Sequence, residues 1–145
     1  PLDTIASIDK RLRKLETLKQ ELPDPILHGE ESGDILFVGW GSTRTVMRDM
    51  LSIKDEFDTS FSYLNYEYLW PLKTDTLKET FSKFKKVVTV EMAYGDALKR
   101  TPLAMFLRSK TLVDVAPMVS RATGRPISPM TIENSIKETL KEMKG

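Results

Sequence analysis

The chain has 145 residues and a formal net charge of +1, with 22 Lys and Arg against 21 Asp and Glu. It contains no cysteine, which excludes disulfides, thiolate catalysis and ligation of an iron–sulfur cluster by this chain. The balanced charge gives no field for nucleic acid, and no apolar run approaches the roughly 20 residues of a membrane span. Together with the lack of a secretory signal pattern, these features predict one globular domain with a cytoplasmic location.

The first 25 residues are predicted to form a helix and a linker, and residues 26–145 the main domain. Asp3 or Thr4 is placed to cap this helix, and Pro23 to end it. Its apolar residues recur at helical spacing: Ile5, Ile8, Leu12, Leu15 and Leu22. The basic run at 10–14 is itself interrupted by this apolar spacing, at Leu12, which favours a solvated helix face for its charges. The sequence starts Pro1-Leu2-Asp3 without an initiator methionine, which indicates a processed chain or a piece of a larger subunit, and we favour a piece.

Strands and helices are predicted to alternate through the main domain. A short edge strand is expected at 26–28, and further strands near 34–40, 60–65, 86–91 and 112–116. The predicted helices run from about Thr43 to Lys54, from a Thr74 cap through Leu77, Phe81 and Phe84, from Thr101-Pro102 through Arg108, and from Ser128-Pro129 through Ile132, Ile136, Leu140 and Met143. Strands buried on both faces predict an α/β fold, a three-layer αβα sandwich with a mainly parallel sheet of four or five strands.

The turn after the second predicted strand carries the clearest candidate site. Two glycines, Gly39 and Gly41, end the apolar run, and Ser42, Thr43 and Arg44 open the next helix. Outward-facing N–H groups of Gly41 to Arg44 would bind an anion at the helix start. In the alternative interpretation the glycines allow the turn and Ser42 or Thr43 caps the helix.

Other candidate residues lie in loops at strand ends. Tyr68, Trp70 and Pro71 belong to an aromatic segment that stacks on a base, covers a core edge or fills a subunit interface, and we favour an interface. Glu91 ends a core strand, where it either serves this interface or hydrogen-bonds a nearby loop. His28 is the single histidine, which excludes a His-based metal cluster, and we expect it to be structural or idle. The sequence contains no Ser/His/Asp arrangement, Walker loop or zinc signature, so we expect no metal site and no catalytic residue.

The order of several short motifs resembles a known family over nearly the whole chain. The segments 10–16, Gly39-Trp40-Gly41-Ser42-Thr43, Leu69-Trp70-Pro71-Leu72, Val88-Thr89-Val90-Glu91 and Gly124-Arg125-Pro126-Ile127-Ser128-Pro129 are similar to the C-terminal part of the α subunit of 2-oxoacid:ferredoxin oxidoreductases. That family includes the pyruvate and 2-oxoglutarate enzymes. The resemblance implies a fold like the transketolase C-terminal domain.

The resemblance also implies a reaction, cofactors and partners for the whole enzyme. A 2-oxoacid is oxidatively decarboxylated, coenzyme A accepts the acyl group, and ferredoxin takes the electrons. Thiamine diphosphate and magnesium would lie on other α-subunit domains and the β subunit, and the iron–sulfur cluster on other domains or polypeptides. This chain would then be an assembly domain that binds no cofactor and has no activity by itself, with ferredoxin reached through the whole enzyme.

One segment departs from the family pattern. Asn residues and a Gly-Gln-Leu-Ala helix start usually follow the glutamate, whereas this chain has Met92-Ala93, extra residues Tyr94 to Arg100, and Thr101-Pro102-Leu103-Ala104. Two alternatives to the assembly domain stay open. One is a module whose Gly39–Arg44 loop holds a phosphate, such as that of coenzyme A. The other is the matching domain of a transketolase or a 2-oxoacid dehydrogenase β subunit, against which the 124–129 motif argues.

Overall fold

A computed structural model describes residues 2–96, 98 and 100–144. Pro1 and, within the segment Tyr94 to Arg100, Ala97 and Lys99 lie outside the described residues. The helices are α1 (Leu2–Glu21), α2 (Thr43–Ser52), α3 (Thr74–Ser82), α4 (Pro102–Thr111) and α5 (Pro129–Lys144). The strands are β1 (Ile26–His28), β2 (Gly33–Trp40), β3 (Phe61–Tyr66), β4 (Phe84–Glu91) and β5 (Val115–Ser120). A 3-10 turn, Lys54–Glu56, follows α2.

The strands form one five-stranded sheet in the order β1-β3-β2-β4-β5. The strands β3, β2, β4 and β5 run parallel, and β1 pairs antiparallel with β3 at the edge. Parallel neighbours need crossover helices, which cover both faces of the sheet. The predicted α/β fold with a mainly parallel sheet and an antiparallel edge strand is therefore confirmed.

Each face of the sheet has its own apolar core. On one face Phe37 and Tyr63 pack with Met47 of α2 and Ile132 and Ile136 of α5. On the opposite face the core is formed with α3 and α4 by Leu36, Val38, Leu77, Phe81 and Leu107. Because strand side chains alternate between faces, neighbouring residues of β2 supply both cores.

The last strand lies further along the chain than the predicted 112–116. Leu112 has a left-handed φ of 59° and closes α4, with its N–H donating to the Arg108 carbonyl. The strand begins at Val115 and continues through Pro117 to Ser120. Pro117 has no N–H to donate, and the register with β4 shifts between Thr89 and Val90 opposite it. The strand lies at the sheet edge, where a proline is tolerated.

Several predicted helix ends are also wrong. α1 already includes Asp3 and Thr4, so neither residue caps it. Lys73 is the N-cap of α3, which makes Thr74 a residue of the helix itself, and Phe84 opens β4 instead of continuing α3. By contrast, the Ser128 hydroxyl accepts a hydrogen bond from the Thr131 N–H at 3.3 Å, as expected of a cap.

The remaining differences concern helix lengths. α2 ends at Ser52, before the predicted Lys54, and α4 continues beyond Arg108 to Thr111. Among residues 2–96, 98 and 100–144, no helix combines the length and hydropathy needed to cross a membrane.

Candidate functional site

The candidate site lies at the carboxyl edge of the sheet, between the ends of β2 and β4. These strands are neighbours, yet β2 leads into α2 on one face while β4 leads into α4 on the other. Diverging connections leave a crevice between two strand ends, where open α/β folds bind ligands. The crevice is spanned by a contact from the Ser42 hydroxyl to the Met92 sulfur at 3.3 Å.

The turn after β2 depends on both of its glycines. Gly41 has a positive φ of 62°, a backbone conformation that residues other than glycine rarely adopt. At Gly39 an added Cβ would lie 2.7 Å from the Thr43 hydroxyl and 2.9 Å from the Tyr63 hydroxyl. The close approach of β2 to these two hydroxyls therefore excludes a larger residue at position 39.

The Thr43 side chain points into the domain, away from solvent. Its hydroxyl donates to the Trp40 carbonyl at 2.9 Å and lies 3.0 Å from the Tyr63 hydroxyl. Tyr63 in turn donates to the Asn65 side-chain carbonyl at 3.2 Å. Burial raises the pKa of Tyr63 to about 12, although the Thr43 hydrogen bond acts in the opposite direction. This network holds the turn with neutral hydroxyls and leaves Thr43 unavailable to an outside anion.

The other residues of the predicted anion loop are exposed. Gly41, Ser42 and Arg44 face solvent, and the Ser42 side chain makes no capping hydrogen bond. The Arg44 guanidinium lies 3.6 Å from the Glu67 carboxylate, which already supplies a negative charge. Glu67 would compete with an incoming anion for Arg44, and with Thr43 turned inward the geometry favours the interpretation that the glycines serve the turn. Anion binding at Gly41 to Arg44 stays a prediction.

Glu91 lies inside the domain with an exposed fraction of 1%. Its carboxylate accepts from the Leu103 N–H at 2.7 Å and from the Ala104 N–H at 3.2 Å. The hydroxyls of Thr89 and Thr101 also donate to it. The carboxylate thus caps the first turn of α4, where the helix dipole favours a negative charge.

The buried position of the Glu91 carboxylate agrees with the alternative in which Glu91 hydrogen-bonds a nearby segment of the chain. The interface role expected for Glu91 requires a surface position, and the carboxylate is instead enclosed by its own chain. The capping contact joins residues that are 12 apart in sequence, so no local motif indicates it. The departing segment Thr101-Pro102-Leu103-Ala104 supplies the hydroxyl and both amide groups that hold it.

The connection from β4 to α4 is held by Asp96. Its carboxylate accepts from the N–H groups of Leu98 and Arg100, each at 3.0 Å, and pairs with the Arg100 side chain. These hydrogen bonds from Arg100 lower the pKa of Asp96. The same connection exposes Met92, Tyr94 and Leu98 to solvent.

An apolar cavity of about 430 Å³ lies beside the crevice. It is lined by Trp40, Leu69, Trp70, Glu91, Leu103 and Phe106, among others. The side chains of Trp40 and Trp70 are about half exposed. We call the exposed apolar residues at the end of β2 and in the loops that follow β3 and β4 the carboxyl-edge surface: Trp40, Tyr68, Trp70, Met92, Tyr94 and Leu98.

Within the carboxyl-edge surface, Trp70 contacts two residues of α4. Its ring is tilted against Phe106 of α4 with centroids 6.1 Å apart, and the Lys110 ammonium lies 5.2 Å from its centroid. The Trp70-Pro71 peptide bond is cis, and Pro71 is buried while Tyr68 and Trp70 are exposed. This loop is evident as a candidate in the sequence, whereas Trp40, Met92, Tyr94 and Leu98 are not, because their exposure depends on tertiary structure.

The remaining candidate, His28, does not reach the crevice. It lies in the edge strand β1, and its ring stacks on Tyr63 with centroids 6.1 Å apart. Within residues 2–96, 98 and 100–144, no group of three or more His, Asp or Glu side chains is placed to hold a metal. The site is thus an apolar surface around a structural turn.

The fold and site define an open α/β domain with an apolar crevice at the carboxyl edge of its sheet. A scan of known protein families finds no model that matches the chain. The chain is similar to α subunits of 2-oxoacid:ferredoxin oxidoreductases, as the sequence motifs indicated. It is 26% identical over 133 residues, or 88% of this chain, to the subunit alpha of 2-oxoacid:ferredoxin oxidoreductase 1 from Aeropyrum pernix. It is also 26% identical over 137 residues to the corresponding subunit from Sulfurisphaera tokodaii.

The chain spans about a fifth of the length of these relatives, 20% and 21% respectively, so it matches one part of their α subunits. Among solved structures, the 2-oxoglutarate:ferredoxin oxidoreductase from Magnetococcus marinus shares the fold with a TM-score of 0.82 and 24% identity, over 95% of this chain and 23% of that one. That structure contains 2-oxoglutarate, coenzyme A and succinyl-CoA. A probable 2-oxoacid ferredoxin oxidoreductase alpha chain from Thermoplasma acidophilum matches with a TM-score of 0.53 and 27% identity, over 81% of this chain and 97% of that one.

Proposed function

We propose that this chain is an assembly domain in the α subunit of a 2-oxoacid:ferredoxin oxidoreductase. The whole enzyme would oxidatively decarboxylate a 2-oxoacid, transfer the acyl group to coenzyme A and pass the electrons to ferredoxin. Sequence similarity along about nine-tenths of the chain supports this proposal. The role of this domain within the enzyme is to contact other domains of the α subunit and the β subunit.

The assembly role is supported by the exposure of large apolar side chains on the carboxyl-edge surface. Trp40 and Trp70 line one apolar cavity and expose 49% and 51% of their surface, and Tyr94, in the loop after β4, exposes 73%. Large aromatic residues are enriched at the buried centres of protein interfaces, and exposed apolar patches commonly mark contact sites. The polar groups beneath this surface are already used within the chain, because Glu91 caps α4 and Thr43 contacts Tyr63.

The chain has no cysteine to supply the thiolate ligands that an iron–sulfur cluster needs. Magnesium is usually held by one or two carboxylates together with the phosphate oxygens of its ligand. In our proposal thiamine diphosphate, magnesium and the iron–sulfur cluster belong to other domains or subunits, as the resemblance implies, and this domain supplies no step of the reaction.

A second candidate function is coenzyme A or phosphate binding at Gly41 to Arg44. A relative of this fold contains coenzyme A, and an exposed turn with a nearby arginine is a suitable place for a phosphate. The Arg44–Glu67 pair and the inward Thr43 hydroxyl argue against it. We therefore place it second.

The proposed function is tested with the complete gene product, purified together with its partner subunits. We expect viologen reduction that requires a 2-oxoacid, coenzyme A and thiamine diphosphate, and no reduction by the 145-residue chain alone. Activity of the chain alone would contradict an assembly role. A complete protein that reduces viologen with none of several 2-oxoacids would contradict the enzyme assignment.

A further inference from the structure

We draw no further inference here: the strongest candidate, the groove of about 580 Å³ between the exposed apolar face of α1 and Trp70, is an unpartnered apolar surface, and nothing in the structure shows what covers it.

Discussion

The carboxylate of Glu91, at the end of β4, accepts a 2.7 Å hydrogen bond from the N–H of Leu103 in α4. It therefore replaces the usual side-chain cap, since Thr101 at the N-cap position makes no capping hydrogen bond. Thr101 instead donates its own hydroxyl to the same carboxylate. The buried Glu91 carboxylate thus links the end of β4 to the start of α4, which are separated in sequence by an exposed connection.

We predict that Glu91→Gln destabilises the chain by about 1–3 kcal/mol, because a neutral amide loses the interaction with the helix dipole and leaves a donor group buried. The measurement is urea unfolding at neutral pH. Thr89→Val serves as the control, since it removes one hydroxyl donor from the same carboxylate and keeps the charge. Its cost is expected to be smaller. Equal unfolding midpoints for wild type and Glu91→Gln would rule out a capping role.

Trp70→Ala is expected to destabilise the chain by about 1–3 kcal/mol, because the half-buried ring loses its contacts with Phe106 and Lys110. Tyr68→Ala, at a similarly exposed aromatic residue of the same loop, is the control for stability and is expected to cost less. Denaturant unfolding compares the two variants. In the whole enzyme, Trp70→Ala is further expected to weaken subunit association. If neither the unfolding midpoint nor subunit association changes, Trp70 has no role in stability or assembly.

A pH dependence is expected from Asp34, at the opposite edge of the sheet. The Lys85 ammonium, 2.7 Å away, and hydrogen bonds from Ser60 hold the pKa of Asp34 well below its ordinary value of 3.8. A lowered pKa in the folded state means that the charged carboxylate stabilises the fold above its ordinary pKa. That contribution is lost as the pH falls from 3.8 toward the lower folded-state pKa.

Asp34→Asn is therefore expected to lower the free energy of unfolding at neutral pH by about 1 kcal/mol, a modest value because the pair is partly exposed to solvent. The difference between variant and wild type is expected to shrink in acid below the ordinary pKa. Urea titrations at neutral and acidic pH measure it. A difference that stays constant with pH would show that the charge of Asp34 does not matter.

Coenzyme A is expected to leave the melting temperature of the chain unchanged, because the Glu67 carboxylate competes for the Arg44 guanidinium and the Thr43 hydroxyl faces inward. Thermal unfolding with and without millimolar coenzyme A checks this, with inorganic phosphate as a second probe. Glu67→Gln frees Arg44 and is the variant most suited to reveal weak anion binding. A stabilisation of wild type that Arg44→Ala abolishes would restore the anion site as the favoured function of this loop.

Much of the fold follows from patterns that the sequence displays directly. β2 and β4 are apolar on both faces, and Gly39 and Gly41 mark the turn between β2 and α2. The error at β5 has a local cause, because Leu112 looks like a strand residue but adopts the left-handed conformation that ends α4. The strand continues past the predicted end through Pro117, because an edge strand with a register shift accommodates a residue that lacks an N–H.

The candidate site was harder to predict than the fold. The capping by Glu91 and the inward hydroxyl of Thr43 depend on contacts between segments far apart in sequence, for which single residues carry no signal. The exposure of Trp40 is similarly a tertiary property, since its sequence position at the end of an apolar strand favours burial. Trp70 was singled out because it lies in a loop at the predicted carboxyl edge of the sheet and large aromatic residues are enriched in protein interfaces.

The separation of the apolar core into two layers has a consequence for how this domain can change. The α2–α5 layer and the α3–α4 layer draw on different side chains of the same strands, with the sheet backbone between them. Substitutions such as Ile132→Val and Leu107→Met therefore share no partner and are expected to have additive effects. The α3–α4 layer, whose Phe106 contacts Trp70, can then change without disturbing the α2–α5 layer.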